Sequence, residues 1–265
     1  MQDLTVTLIQ TDLVWENIEA NLAGLDTKIN GITDSTDVII LPEMFSTGFS
    51  MAAERLAESM DGSAIQWLKA KASETGVSIT GSLMIRDNDR FYNRLIWARP
   101  DGSIACYDKK HLFRYAGEDK IFTPGHRSVA IKQNDWRIRP WICYDLRFPI
   151  WTRNLAPYYD LALFVANWPA GRAHHWQTLL RARAIENQAY VVGVNRVGRD
   201  GNGNEYQGFS SIFAPTGETL FEMEGEEIVT TFTLSRQLLI DYRKEFPFWM
   251  DADRELLSAV FSDAF

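Results

Sequence analysis

Cysteine is scarce in this sequence: there are two, Cys106 and Cys143, in 265 residues. Two thiols cannot form the disulfide framework of a small secreted domain, and free thiols suit a reducing compartment, so cytoplasm is the expected location. Long apolar runs are absent too. Nothing approaches the ~18 uninterrupted apolar residues of a membrane helix, and Met1-Gln2-Asp3-Leu4 lacks the basic-then-apolar pattern of a secretory signal. Positive charge is in deficit, with 27 Lys and Arg against 35 Asp and Glu and a formal net charge of -8. That is the wrong sign for binding phosphate backbones, so nucleic acid is not an expected partner. Metal ligands are sparse. His174-His175 has no further histidine or cysteine at a ligand-like spacing and reads as a helix-start pair lining a pocket mouth, so no metal or other cofactor is expected. Asp200-Gly201-Asn202-Gly203-Asn204-Glu205 starts like a calcium loop but has Glu205 where that loop needs glycine and Ser211 where it needs glutamate; it reads as a flexible turn. The glycines near Gly198 match no phosphate-binding fingerprint.

What is present is an alternation of strands and helices. Leu4 to Ile9 alternates as a strand, and Ile18, Leu22, Leu25 and Ile29 recur at helical spacing. Asp37 to Leu41 is an almost fully apolar run stopped by Pro42, as a buried strand would be. Ser63 and Gln66 resemble a capping box opening a helix to about Thr75, with Gly76 as its stop. Val77–Ile85, Phe91–Ala98 and Ile104–Lys109 form a meander divided by Asp87-Asn88-Asp89 and Pro100-Asp101-Gly102 turns. Further strands are expected at Trp136–Cys143, Asp160–Ala166, Ala189–Asn195, Phe209–Phe213 and Ile228–Leu234. Helices are expected near Ile150–Leu155, over His174–Gln188 and around Leu238. No linker or fixed-period repeat interrupts the chain, so the expectation is one α/β domain over 1–265. From about Lys244 a tail, aromatic and acidic, packs on the body or on a partner subunit.

Three complementary residues each leave a strand end: Glu43, Lys109 and Cys143. Strand carboxyl ends in α/β sheets open on a crevice where sites gather. A cysteine after an apolar strand is most often a small buried hydrophobe. Cys143, however, opens the polar turn Cys143-Tyr144-Asp145-Leu146-Arg147-Phe148-Pro149, where backbone N–H groups favour a thiolate and can bind an oxyanion. Cys106, mid-strand, has no such setting. Glu43 lies between an apolar strand and Met44-Phe45; partial burial would raise its pKa and suit it to carrying protons. Lys109 and Lys110 face opposite ways if the strand continues, so only one of them points into a site.

Together these segments resemble the nitrilase, or carbon–nitrogen hydrolase, superfamily. Its glutamate after an apolar strand, its K-x-H-L and its C-Y-D-x-R-F read here as Leu41-Pro42-Glu43, Lys109-Lys110-His111-Leu112 and Cys143-Tyr144-Asp145-Leu146-Arg147-Phe148. That register selects Lys109, two positions before His111. The resemblance also implies a second glutamate after the lysine, matched by Glu118. Asn167-Trp168-Pro169-Ala170, Arg183 to Gln188 and Gly198 to Gly203 resemble the ω-amidase branch. What this implies is an αββα sandwich, two mixed sheets face to face with helices outside, usually dimeric through its helical layers. The implied reaction is hydrolysis of a small 2-oxo acid ω-amide such as 2-oxoglutaramate or 2-oxosuccinamate through a thioester on Cys143. Glu43 would move the protons, and Lys109 with the Tyr144 backbone N–H would hold the oxyanion. Arg172, Trp168 and Arg147 are the candidates for the acidic end of the substrate. A nitrile or an N-carbamoyl amino acid would use the same residues. A thiol-redox protein would leave the glutamate and lysine motifs as coincidences, and a non-catalytic binding protein would not need them intact.

Overall fold

In a computed structural model, which describes residues 2–253, two β-sheets pack face to face between layers of helix. The first sheet has the order β13-β1-β2-β3-β4-β5. Its strands are β1 (Leu4–Gln10), β2 (Val38–Ile40), β3 (Ser78–Asp87), β4 (Arg90–Ala98), β5 (Ile104–Asp108) and β13 (Ile228–Leu234). β1, β2 and β3 run parallel, and the β3-β4-β5 meander and β13 are antiparallel. The second sheet has the order β10-β11-β9-β8-β7-β6, with β12 also paired to β11. It comprises β6 (Ile131–Gln133), β7 (Trp136–Ile142), β8 (Leu161–Val165), β9 (Tyr190–Val194), β10 (Val197–Arg199), β11 (Glu205–Phe213) and β12 (Thr219–Glu224). The helices are α1 (Ile18–Asn30), α2 (Ala53–Leu56), α3 (Ser63–Thr75), α4 (Pro149–Thr152), α5 (Ala173–Asn187) and α6 (Arg236–Glu245). This is the expected αββα sandwich.

Period-2 alternation decides which side chains meet where. Leu4, Val6, Leu8, Val38, Ile40, Leu95 and Trp97 point between the sheets, into the core that holds Ile138, Leu163 and Val192. Their neighbours Ile9, Ile39, Ile96 and Ala98 point outward onto Leu25 and Ile29 of α1 and Ile65, Leu68 and Ala72 of α3. On the other flank α5 lays Trp176, Leu180 and Ala184 over the second sheet. Pro140 sits inside β7, a position that normally argues against a strand. It is tolerated because β6 pairs only as far as Ile138, leaving the Pro140 edge of β7 without a ladder.

Several local expectations need correction. Ser63 does not cap α3: it is the first helical residue, Gly62 is the N-cap, and the Glu58 carboxylate takes the hydrogen bonds of Ser63 Oγ (2.6 Å) and the Ala64 amide (3.3 Å). A full carboxylate at a helix N-terminus displaces the weaker hydroxyl cap. Gly76 does end the helix, at φ 69°. Lys109 and Cys143 lie one residue beyond their strands rather than on them. The Asp200 loop is a closed turn rather than a flexible one, because that carboxylate accepts from the Asn202 and Asn204 amides and from Tyr206 Oη, each at 2.9 Å. Short β6, β10 and the charge-rich β12 were not foreseen. Of the tail, Phe246 and Trp249 are bonded to Gln188 at the end of α5; its remainder, 254–265, lies outside the described residues.

Gly193 on β9 lets α5 approach, since a Cβ there would fall 2.5 Å from Leu180 Cδ1 and 2.8 Å from Trp176 Cζ2. Gly193→Ala is expected to cost about 1–3 kcal/mol, a fall in Tm of roughly 3–10 °C. Calorimetry checks this, and an unchanged Tm would mean α5 does not sit so close.

Candidate active site

The three segments singled out in the sequence converge at one edge of the sandwich. Leu41 still bonds to β3 (N–H to Thr80 O, 2.7 Å), but Pro42 has no N–H to extend the ladder, and the chain turns inward at Glu43. Lys109 follows β5, held by its amide on Asn93 O at 3.0 Å. Glu43, Lys109 and Glu118 are each 1% exposed or less. Lys109 Nζ donates to Glu43 Oε1 at 2.9 Å and to both Glu118 oxygens at 3.0 Å. Lys110 faces the other way, its ammonium 5.4 Å from the Trp151 ring centroid, so the register chose the inward lysine.

Cys143 begins a 3₁₀ turn over Cys143–Arg147 and has φ +44°, in the left-handed region that costs an L-residue about 1–2 kcal/mol. Such strain persists only where the surroundings impose it. Here Asp145 imposes it. One of its oxygens accepts from the His111 amide (2.9 Å) and His111 Nδ1 (2.8 Å), the other from Tyr107 Oη (2.7 Å) and the Ile142 amide (3.2 Å). The lysine and cysteine segments are therefore tied to each other two residues beyond their reactive side chains. Arg183 adds a bond from Nη2 to Leu146 O at 2.7 Å. The Tyr144 amide is among the early N–H groups of the turn that a helix leaves without an internal acceptor, and Tyr144 lines the cleft with Cys143.

The electrostatics are those of two carboxylates sharing one cation in a dry site. Burial alone would lower the Lys109 pKa, but Glu118, Glu43 and Cys143 reverse this and hold the ammonium strongly protonated. Glu118 is raised above the ordinary carboxylate range by burial, with Lys109 opposing and Glu43 adding to the rise. Cys143 is raised well above the usual thiol value by burial and by the charge of Glu43, with Lys109 opposing. A thiolate formed by loss of a proton to water would bring a third negative charge against one ammonium. A proton passed from Cys143 to Glu43 leaves the net charge unchanged.

The cleft above this group has a volume of about 630 Å³, and Cys143 forms part of its lining. Arg172, Trp168 and Arg147 all line it. Arg147 Cζ lies 4.8 Å from the Trp168 ring centroid and Arg172 Cζ 5.4 Å from that of Phe113. Neither arginine is ion-paired among the described residues. The histidine pair does not line the cleft; His175 instead accepts from Arg147 Nη2 at Nδ1, 2.9 Å away.

The sequence reading missed Asn93 and placed Asn167 only in a branch motif, without its contact to Glu43. Asn93 Nδ2 donates to Glu43 Oε1 (2.7 Å) and Glu118 Oε1 (3.2 Å), and the Asn167 amide donates to Glu43 Oε2 (2.7 Å). The alternation of β4 carried a signal for the first: Asn93 shares parity with the core residues Leu95 and Trp97.

The carbon–nitrogen hydrolase family profile matches residues 5–244, and this chain belongs to that family. It is a hydrolase of carbon–nitrogen bonds other than peptide bonds. It is 46% identical over 254 residues to the omega-amidase YafV of Escherichia coli K12, covering 96% of this chain and 98% of that one. With the 2-oxoglutaramate amidase of Bacillus subtilis 168 it shares 33% identity, over 95% of this chain and 98% of the other. Its fold superposes with a TM-score of 0.93 and 41% identity on XC1258 from Xanthomonas campestris, a CN-hydrolase superfamily protein crystallised with an arsenic adduct in its active site; 96% of this chain and 98% of that one are covered. Among the described residues no helix is long and apolar enough to cross a membrane.

Removing the shared cation tests the charge balance. Lys109→Met should cost about 3–5 kcal/mol at pH 8, since it strands two buried carboxylates. A carboxylate whose folded pKa is raised takes up a proton as pH falls toward the ordinary carboxylate range, so the loss should shrink by pH 5. Urea denaturation at both pH values measures this; equal losses would contradict it.

Proposed function

We propose that this hydrolase is an ω-amidase, acting on the terminal carboxamide of a short 2-oxo dicarboxylic acid monoamide such as 2-oxoglutaramate or 2-oxosuccinamate. The observation that carries this reading is the single buried ammonium of Lys109 shared by Glu43 and Glu118 beside Cys143, under a cleft walled by two arginines without carboxylate partners among the described residues. The names of the two amidase relatives support the choice of substrate.

In this mechanism Glu43 takes the thiol proton as Sγ attacks the amide carbon, so sulfur becomes nucleophilic without a free thiolate accumulating. The carbonyl oxygen becomes an oxyanion between the Lys109 ammonium and the Tyr144 N–H, where one such donor is worth about 3–4 kcal/mol of barrier. Protonated Glu43 then gives its proton to nitrogen, the C–N bond breaks, and ammonia leaves a thioester. Water attacks that thioester while Glu43 accepts its proton. Collapse returns the proton to sulfur and releases the acid. Glu118 holds Lys109 in place throughout. Arg172, with Arg147 as the alternative, takes the distal carboxylate, and Trp168 forms the wall between them.

Ammonia release from both 2-oxo amides is expected to fall by at least ~10³-fold in Cys143→Ala and Lys109→Ala; near-wild-type turnover in either would overturn the mechanism. A panel including a nitrile and an N-carbamoyl amino acid, ranked by kcat/KM, tests the substrate. Arg172→Leu should raise KM for 2-oxoglutaramate by roughly 10–100-fold, the worth of one charge-assisted contact, and leave an uncharged amide unaffected. If KM moves only in Arg147→Leu, the carboxylate belongs to Arg147.

We further read the protein as a cytoplasmic homodimer or a higher homo-oligomer built from such dimers. The two free thiols suit a reducing compartment, and Ile150, Phe248 and Met250 are each more than half exposed, a surface suited to a second copy. Sedimentation should give at least twice the 30.3 kDa chain mass; a monomer at micromolar concentration would refute this.

A further inference from the structure

Outside the residues already given a chemical role, one buried polar chain reaches the reactive group directly. Asn93 on β4 is 1% exposed and Ser82 on β3 is fully buried. The two strands pair antiparallel, with Ser82 opposite Leu95 and Met84 opposite Asn93. The Met44 amide donates to Ser82 Oγ at 2.9 Å, Ser82 Oγ donates to Asn93 Oδ1 at 2.8 Å, and Asn93 Nδ2 donates to Glu43 and Glu118. The direction is forced, because the carboxylates accept and the serine proton has Asn93 Oδ1 as its acceptor. The chain therefore begins at the backbone beside Glu43 and returns to its carboxylate. Met44 has φ +44°, so the turn that aims Glu43 is itself strained, and Ser82 bonds to that strained amide.

We infer that Asn93, oriented by Ser82, is a positioning residue that divides one amide group between Glu43 and Glu118 and so keeps Glu43 available as the proton acceptor. The physical need is clear from the charges that face Glu43. Lys109 comes from the end of β5, Glu118 from the turn at 118–120, Cys143 from the end of β7 and Tyr206 from β11. One cation cannot neutralise two carboxylates, and the repulsion between them favours protonation of one. A neutral donor on the Glu43 oxygen that also faces Lys109 offsets that repulsion without adding a charge. Asn93 Nδ2 is spent on Glu43 and Glu118, so it acts through those carboxylates.

This inference rests on Glu43 serving as the base. Two substitutions test it in the full-length enzyme, Asn93→Ala and the milder Ser82→Ala, which leaves Asn93 and every charged group present. The acid limb of the kcat/KM–pH profile should move up by about one pH unit in Asn93→Ala. The shift in Ser82→Ala should be smaller but in the same direction. KM should stay within about twofold, and most of kcat should return at alkaline pH, since the missing bond matters only while Glu43 competes for a proton. A loss that is uniform across pH, with the acid limb unmoved, would mean that Asn93 only fills space and would overturn the inference. Alkylation of Cys143 by iodoacetamide, followed against pH by peptide mass, provides a readout that needs no substrate and reports on Glu43 in the same way. A shifted alkylation profile supports the positioning role even if the amide panel fails, and an unshifted one refutes it even if the amidase reading stands. Circular dichroism on each variant excludes unfolding as the cause of a loss.

Discussion

The site depends on one ammonium group. Lys109 Nζ is fully buried and carries the hydrogen bonds of two carboxylates from different parts of the chain, Glu43 after β2 and Glu118 in the loop after β5. Buried charges persist only when paired and hydrogen bonded, so neither carboxylate could remain in place without Lys109. Nor could Lys109 remain without them. With both carboxylates ionised the arrangement is one positive charge short of neutral, and that deficit has a chemical consequence. It raises the cost of any further negative charge nearby, which with burial favours the neutral Cys143 thiol. In the proposed mechanism, proton transfer to Glu43 and attack by sulfur then belong to one event.

The sandwich exists, from the standpoint of the site, to bring strand ends from two sheets within hydrogen-bond distance. Glu43 and Lys109 leave the first sheet, Cys143 and Asn167 leave the second. The bonds from the Asn167 amide to Glu43 Oε2 and from Asn167 Nδ2 to Glu43 O join the two sheets at the reactive group itself. The apolar core between the sheets holds these ends at fixed spacing, as required for groups that must be positioned to within a fraction of an ångström.

Much of this was legible in the sequence, for identifiable reasons. β13 matched to the residue because Ile228–Leu234 is rich in β-branched residues, and β2 was readable because Pro42 marks its end. Glu43, Lys109 and Cys143 were found because three motifs stand in register, and their shared location follows from strand ends opening on one edge. What was not legible is equally physical. The Ser63–Gln66 capping box has the right spacing, but spacing does not reveal that Glu58 folds back onto the same helix terminus. β12 was hidden because its exposed, charged face gives no apolar alternation. The left-handed backbone at Met44 and Cys143 was invisible because neither residue type advertises it; a glycine or asparagine at either position would have. Asn93 could have been found by asking why a polar residue falls on the apolar parity of β4.

Those two left-handed residues bear on how the site is kept rigid. Each follows a strand of a different sheet, each turns the chain sharply at the site, and each is braced by a polar side chain: Ser82 accepts from the Met44 amide, and the Asp145 carboxylate accepts from the Ile142 amide just before Cys143. Strain of about 1–2 kcal/mol per residue would relax if the anchor were weak. Both anchors are fully buried and fully engaged. Asp145 gathers donors from three segments, including the His111 that follows Lys109, so the turn that opens at Cys143 is fixed to the segment that carries Lys109. Ser82 reaches Glu43 through Asn93. Glu43, Lys109 and Cys143 are thus each braced through a neighbour of another. In the proposed mechanism that mutual bracing lets a thiol whose pKa burial raises still react, because Cys143 and Glu43 are already in place before substrate enters.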